Sequence, residues 1–168
     1  MNRLRILICT GVLCCLLVAG CQYQVVAPLP GPSASIAIPI FVNRTPKVDL
    51  GEVITGVVVD EFFLRTSLAI VPQEQADYVL LGEIVNYMSE PTTAVVSESS
   101  ESRVVIEVRA RLVPRSGFPV VWEEELTEST VYSILQVGST QTEQEAIEEV
   151  ARKLGKDLVS LTLEGWKN

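Results

Sequence analysis

Apolar and polar residues alternate from Ser35 to Val42. Ile36, Ile38 and Ile40 share one face, with Ala37, Pro39 and Phe41 on the other, which predicts a strand. Pro39 has no amide hydrogen to give a ladder, so this strand is expected at a sheet edge or to carry a bulge. Asn43-Arg44-Thr45-Pro46 is turn chemistry. The period then changes. Leu50, Val53, Ile54, Val57, Val58 and Phe62 recur at spacings of three and four, which predicts a helix, and Asp49 and Glu52 stand in capping-box relation at its start. Valine is a mediocre helix former, so packing must hold this segment. Leu68 to Val71 reads as a short strand, and Tyr78 to Met88 as a longer one, apolar on both sides as in a covered sheet. Ser89 to Ser102 turns polar and is expected to form a mobile hairpin loop or two frayed strand ends. The clearest alternation follows: Val104, Ile106, Val108, Ala110 and Leu112 face one way, and Arg103, Glu107, Arg109 and Arg111 the other. Pro114 to Pro119 supplies a turn, and Val120 to Tyr132 contains the next strand, with Trp122 and Leu126 inward. A long helix closes the chain. Thr142 and Glu145 form its capping box, and Ile147, Val150, Ala151, Leu154, Leu158 and Leu161 make one apolar stripe. Glu143, Glu145, Glu148 and Glu149 near its start, with Arg152, Lys153 and Lys156 further on, match the helix dipole.

Two amphipathic helices and about four main strands imply an α+β class: a two-layer sandwich, the helices on one face of a roughly four-stranded mixed sheet. That body is expected to span residues 36–168. The preceding segment is built differently. Arg3 and Arg5 give a positive start, and Ile6 to Ala19 are apolar or small apart from Thr10 and Gly11. This run is too short for a bilayer core, which needs about 20 apolar residues, but it has the length of a secretory signal. Leu17-Val18-Ala19-Gly20-Cys21 resembles a bacterial lipobox, so residues 1–20 are expected to be removed and Cys21 to carry lipid. Residues 21–35, with Pro28, Pro30, Gly31 and Pro32, would then be an extended tether.

Cysteine usage fits this picture. Cys9, Cys14 and Cys15 lie in the segment to be removed, leaving Cys21 without a disulfide partner. One acyl chain holds a protein only marginally, whereas two or three on one residue hold it essentially permanently. Gln22, not the Asp that retains some lipoproteins at the inner membrane, follows Cys21 and points to the outer membrane.

Charge and composition narrow the function. Without Arg3 and Arg5 the chain has 11 basic and 21 acidic residues, an unsuitable balance for nucleic acid. With no His and one remaining Cys, it lacks the commonest general base and the usual metal ligands. No phosphate-binding glycine loop or nucleophile elbow is present. We therefore expect no enzyme, metal or cofactor; carboxylate pairs such as Glu123 with Glu125 could in principle do acid–base work, but a solvated face explains them better.

The order of segments is similar to that of the lipopolysaccharide-assembly lipoprotein LptE family. The matching pieces are Cys21-x-Tyr23, Ile36 to Thr45, the Leu50–Arg65 helix, Ala76 to Ile84, Val121-Trp122-Glu123, Tyr132, and the closing helix ending near Trp166. The resemblance implies an α/β body that occupies the lumen of LptD, a large outer-membrane barrel, with which it delivers lipopolysaccharide. It also implies a candidate glycolipid contact. In this acidic chain the candidates are Arg103, Arg109 and Arg111, whose guanidinium groups could pair with phosphate, or with Glu on neighbouring strands. Gln22 departs from the Gly that many relatives carry there. The alternative function is a lipoprotein that activates a cell-wall enzyme, although the Pro-rich part of the tether, Val25 to Ser35, is roughly ten residues or about 30 Å extended, which is short for that reach.

Overall fold

The computed structural model describes residues 34–92, 99–135 and 142–165. The leader, Cys21, the tether up to residue 33 and Trp166 lie outside the described residues. Six strands and two helices follow in the order β1 (Ser35–Ala37), β2 (Val42–Asn43), α1 (Leu50–Arg65), β3 (Ala69–Ile70), β4 (Tyr78–Pro91), β5 (Ser99–Pro114), β6 (Trp122–Leu135) and α2 (Glu143–Gly165). The sheet runs β3-β1-β4-β5-β6, with β2 also beside β4. It is mixed, as expected: β1 is parallel to β3 and β4, β2 is parallel to β4, and β4, β5 and β6 form an antiparallel meander. The expected four strands become six because the first predicted strand is split and the short Leu68–Val71 segment contributes Ala69–Ile70.

The split lies at Pro39. Between the pairs Ile36↔Tyr78 and Asn43↔Ile84 the first segment advances seven residues while β4 advances six. One extra residue therefore sits between β1 and β2, the bulge that a proline without an amide hydrogen favours. The slip reverses the facing of the residues beyond it. Ile36 is buried as expected, but Ile40 is exposed and Phe41 takes the core position.

The helix-side face of the sheet carries the main core. Ile36, Leu80, Ile84, Val104, Ile106, Val108 and Leu112 are buried there against Ile54, Val58 and Phe62 of α1 and Ile147, Val150, Leu154 and Leu158 of α2. The alternation read in β5 is borne out at every position from Val104 to Leu112, and Trp122 and Leu126 pack against this core. Phe41 is its most constrained member. Its ring lies over Gly82, and its carbonyl oxygen would be 2.6 Å from a Cβ at Gly51. Its amide donates to Thr55 Oγ1 at 2.8 Å, and that hydroxyl donates to the Gly51 carbonyl at 2.6 Å. Two glycines thus let the strand, the sheet and α1 meet around one aromatic ring.

The helix starts divide. At α2 the Thr142 amide donates to Glu145 Oε2 at 2.6 Å and the Glu145 amide to Thr142 Oγ1 at 3.2 Å, the reciprocal pair of a capping box. Thr142→Ala is therefore expected to lower stability by about 1 kcal/mol, measured by urea denaturation. At α1 the expected capping box is absent: Asp49 has φ 62°, and its side chain makes no cap hydrogen bond. Aspartate tolerates this left-handed geometry better than most residues. The approach to α1 is instead tied by Asn43, whose Oδ1 accepts from the Thr45 amide at 2.9 Å and whose Nδ2 donates to the Lys47 carbonyl at 2.7 Å.

The polar stretch Ser89–Ser102 is shorter as a connection than expected. β4 continues to Pro91 and β5 starts at Ser99, so its outer parts are paired strand and 93–98 lie outside the described residues. Nearby, the Tyr87 hydroxyl donates to Glu143, and Lys47 Nζ is 3.1 Å from Glu143 Oε2 and 5.6 Å from the centre of the Tyr87 ring. The Tyr87 hydrogen bond, then Lys47, hold the Glu143 carboxyl below its ordinary value, while burial, then Glu143, push Tyr87 up. This carboxylate contributes stability that is fully present above the unfolded carboxylate pKa, about 4.3, and lost as pH falls through the lower folded value. Glu143→Gln is expected to flatten the acid limb of the urea midpoint plotted against pH.

Candidate functional site

Among the described residues, the face of the sheet turned away from the helices is covered only near its beginning, where Ala37, Ala76, Val79 and Val113 form a small second core with Val71 and Leu81. Beyond that, strand alternation sets out cross-strand rows: Leu81–Arg111–Glu123, Glu83–Arg109–Glu125, then Met88–Val105–Ser129 and Glu90–Arg103–Val131. The same period that buries Val108, Ala110 and Leu112 on one side must place Arg109 and Arg111 on the other.

β2 adds a wall. Its parallel pairing with β4 brings the Arg44 amide to the Ile84 carbonyl at 3.0 Å and Arg44 Nε to Glu83 Oε1 at 2.5 Å. Between this wall and the meander lies a groove of about 460 Å³, lined by Pro39, Ile40, Val42 and Leu81 together with Arg44, Arg109, Arg111, Glu83 and Glu123. Its volume falls in the range of small-molecule sites, roughly 300–1,000 Å³. Exposed Ile40 and Val42, half-buried Pro39 and Leu81, and three guanidinium groups thus line one concavity.

Each charge has a partner at hand. Arg109 Nη2 is 3.0 Å from Glu125 Oε2, and Arg111 stands opposite Glu123 in register. The hydrogen bond from Arg44 holds Glu83 below the ordinary carboxylate range, helped by the charges of Arg109 and Arg111. Glu125 is also lowered, first by a hydrogen bond with Glu107 and then by Arg109, while Glu107 is pushed up by Glu125. These ion pairs are open to water: the side chains of Arg44 and Arg109 are 65% and 49% exposed. Exposed pairs contribute about 0–1 kcal/mol each, so an incoming anion would displace little by taking a guanidinium from its carboxylate.

Of the three arginines singled out in the sequence, Arg109 and Arg111 share the groove. Arg103 does not; it is six residues up β5 from Arg109, roughly 20 Å away, in a separate and more open depression of about 470 Å³ with Met88, Glu90 and Val105. Arg44 was missed, because its place depends on a pairing across about forty residues. Glu123 and Glu125 are exposed along β6, Glu123 at the groove and Glu125 occupied by Arg109. Among the described residues no group of three or more His, Cys, Asp or Glu is placed to hold a metal ion.

The family model of LptE, described as lipopolysaccharide-assembly, matches residues 33–161. A search of curated proteins finds no match. Solved structures share the fold at low identity. Protein XCC0632 from Xanthomonas campestris aligns with TM-score 0.59 and 18% identity, covering 83% of this chain and 88% of that one. CT253 from Chlamydia trachomatis aligns with TM-score 0.55 and 14% identity, covering 80% and 97%. PelC from Paraburkholderia phytofirmans aligns with TM-score 0.52 and 18% identity, covering 80% and 93%.

Proposed function

The chain belongs to the LptE lipopolysaccharide-assembly family, and from that premise we propose that it is an outer-membrane lipoprotein, anchored through Cys21, that serves as partner of the LptD barrel in lipopolysaccharide transport. The family match carries the reading: residues 33–161 take in every strand, all of α1 and most of α2. Among the described residues no helix is long and apolar enough to cross a membrane; the lipobox-like run Leu17-Val18-Ala19-Gly20-Cys21 supports attachment through a lipid on Cys21. The role is binding and positioning, not catalysis.

The groove supports contact with the glycolipid itself. Lipopolysaccharide presents phosphates beside acyl chains, and the groove sets Arg44, Arg109 and Arg111 beside Ile40, Val42 and Leu81. Guanidinium groups pair with phosphate in a bidentate, charge-assisted way, and the exposed aliphatic side chains would be covered by hydrocarbon. Arg109 and Arg111 thus remain candidate contacts, joined by Arg44, and Arg103 would act only at the margin.

The test is extraction of the lipidated protein from its native host in mild detergent, followed by identification of co-purifying proteins by mass. An outer-membrane barrel is expected in stoichiometric amount. Recovery as a free monomer, with the barrel assembling normally when the lipoprotein is deleted, would sink the reading.

A further inference from the structure

The two rims of the sheet are unlike. At one, β3 is two residues long and Pro72 soon follows it, a short edge of the kind that resists further pairing. At the other, β6 runs for 14 residues with no Pro, Lys or Arg, and its register with β5 is unbroken from Trp122 to Leu135. Among the described residues no strand pairs with the outer side of β6.

One side chain reveals which backbone groups face outward. Lys153 Nζ reaches from α2 to the Ser129 carbonyl at 2.8 Å, so that carbonyl points away from β5. The amide and carbonyl of one strand residue point to the same side, and successive residues alternate. Glu123, Glu125 and Thr127 therefore present their backbone groups at the rim, as Ser129 does. Lys153 caps the rim at Ser129 and leaves Trp122–Glu128 open.

This open stretch is acidic. Glu123 and Glu125 lie opposite Arg111 and Arg109 of β5. Glu124 and Glu128, on the helix side, lie opposite Ala110 and Ile106, which bring no charge. Leu126 sits between them on the same face, packed against the core. α2 passes alongside, since a Cβ on Gly165 would be 2.8 Å from Trp122. Asp157, one turn beyond Lys153, adds to the negative charge.

The geometry points to an extended, basic segment of a partner protein, added to β6 as a further strand over Trp122–Glu128. It sets one basic residue beside Glu124, an apolar one beside Leu126 and a second basic one beside Glu128. Main-chain hydrogen bonds hold such a strand, and its alternate side chains select it. Residues 21–33, 93–98 and 136–141 contain no Lys or Arg, so these parts of the chain lack the matching charge. The β6 of a second copy would bring Glu123, Glu124, Glu125 and Glu128 again and no cation, and like charges across a strand pair are destabilising. The inference goes beyond the proposed function: it rests on strand geometry and charge, not on the lipid or the barrel.

The test uses the full chain purified from its host and the dye-labelled peptide Thr-Lys-Thr-Val-Thr-Lys-Thr, followed by fluorescence anisotropy. Saturable binding is expected, and no saturation below about 1 mM overturns the inference. N-methylation of the central Thr-Val-Thr keeps both charges but removes the amide donors. It should weaken binding by about tenfold or more; a smaller loss means charge attraction alone and overturns the inference. Thr127→Pro removes one outward amide and leaves the ladder with β5 intact, so it should weaken the unmethylated peptide by a similar factor. Where that variant does not fold, the methylated peptide on the unaltered chain decides. Glu124→Lys with Glu128→Lys should reverse the preference, favouring the counterpart peptide with Glu in place of each Lys. A chain so altered that still prefers the basic peptide holds it elsewhere, which overturns the assignment. A dimer of the unaltered chain that the peptide cannot displace gives the rim to a second copy and overturns it too.

Discussion

Phe41→Ala is expected to lower stability by about 3–5 kcal/mol, a large part of the roughly 5–15 kcal/mol that holds a domain of this size together. The residue is 2% exposed, and its ring fills the space over Gly82. Neighbours cannot readily collapse into the gap, because the backbones of β2, β4 and α1 are fixed around it by pairing and by the Phe41–Thr55–Gly51 hydrogen bonds. The control is the adjacent Ile40→Ala. Ile40 is 62% exposed, and its loss should fall within about 0.5 kcal/mol of zero. Urea denaturation followed by circular dichroism separates the two. Equal effects would mean that the slip at Pro39 is absent and that Ile40 shares the core position. Gly82→Ala approaches the same packing from the other side: a methyl group there meets the Phe41 ring, and overpacking of this kind costs about 1–3 kcal/mol.

The second large effect concerns the groove. Arg44→Ala with Arg111→Ala is expected to weaken lipopolysaccharide binding by about 10- to 100-fold. A hydrogen bond to a charged group is worth about 1.5–3 kcal/mol, and each arginine already has a carboxylate nearby, so the net loss per side chain is nearer the tenfold step of 1.4 kcal/mol. Both side chains are exposed, so stability should be unchanged. Arg103→Ala, up the strand and outside the groove, should change binding by less than about twofold, below 0.5 kcal/mol. Capture of labelled lipopolysaccharide by immobilised protein at one salt concentration measures all three. If Arg103→Ala weakened binding as much as the double variant, the groove would not be the contact.

What could be read from the sequence depended on the range of the interaction that decides each feature. The facing of Val104 to Leu112 and the stripe from Ile147 to Leu158 were legible because burial repeats with the local period. The Thr142–Glu145 cap was legible because both partners lie within one turn. Asp49 misled for a related reason: the residue types fit a cap, but the backbone angle that denies it is set by how Asn43 and Thr45 fold the preceding turn. The reversal at Phe41 was half visible. Pro39 announced a bulge, but only the register against β4 shows that the extra residue turns Ile40 outward. The paired ends of β4 and β5 were legible only as one of two alternatives, frayed strand ends or a loop, because Ser89, Glu90 and Ser102 have polar side chains and owe their strand state to a neighbour's backbone. Arg44 had no local signal at all. Its partner Glu83 is 39 residues away, and the parallel pairing that joins them leaves no periodic trace near either.

The mixed sheet also has a consequence for the order in which the protein assembles. β4, β5 and β6 follow one another in the chain with seven residues between each and the next and can zip together from nearby contacts, whereas Ser35 must find Ala69 and Ile36 must find Tyr78. Closing such long loops is slow because chain entropy is lost before any contact rewards it. The segment made first is therefore the last to be secured, and during that interval its isoleucines are open to any hydrophobic surface or chaperone that reaches them.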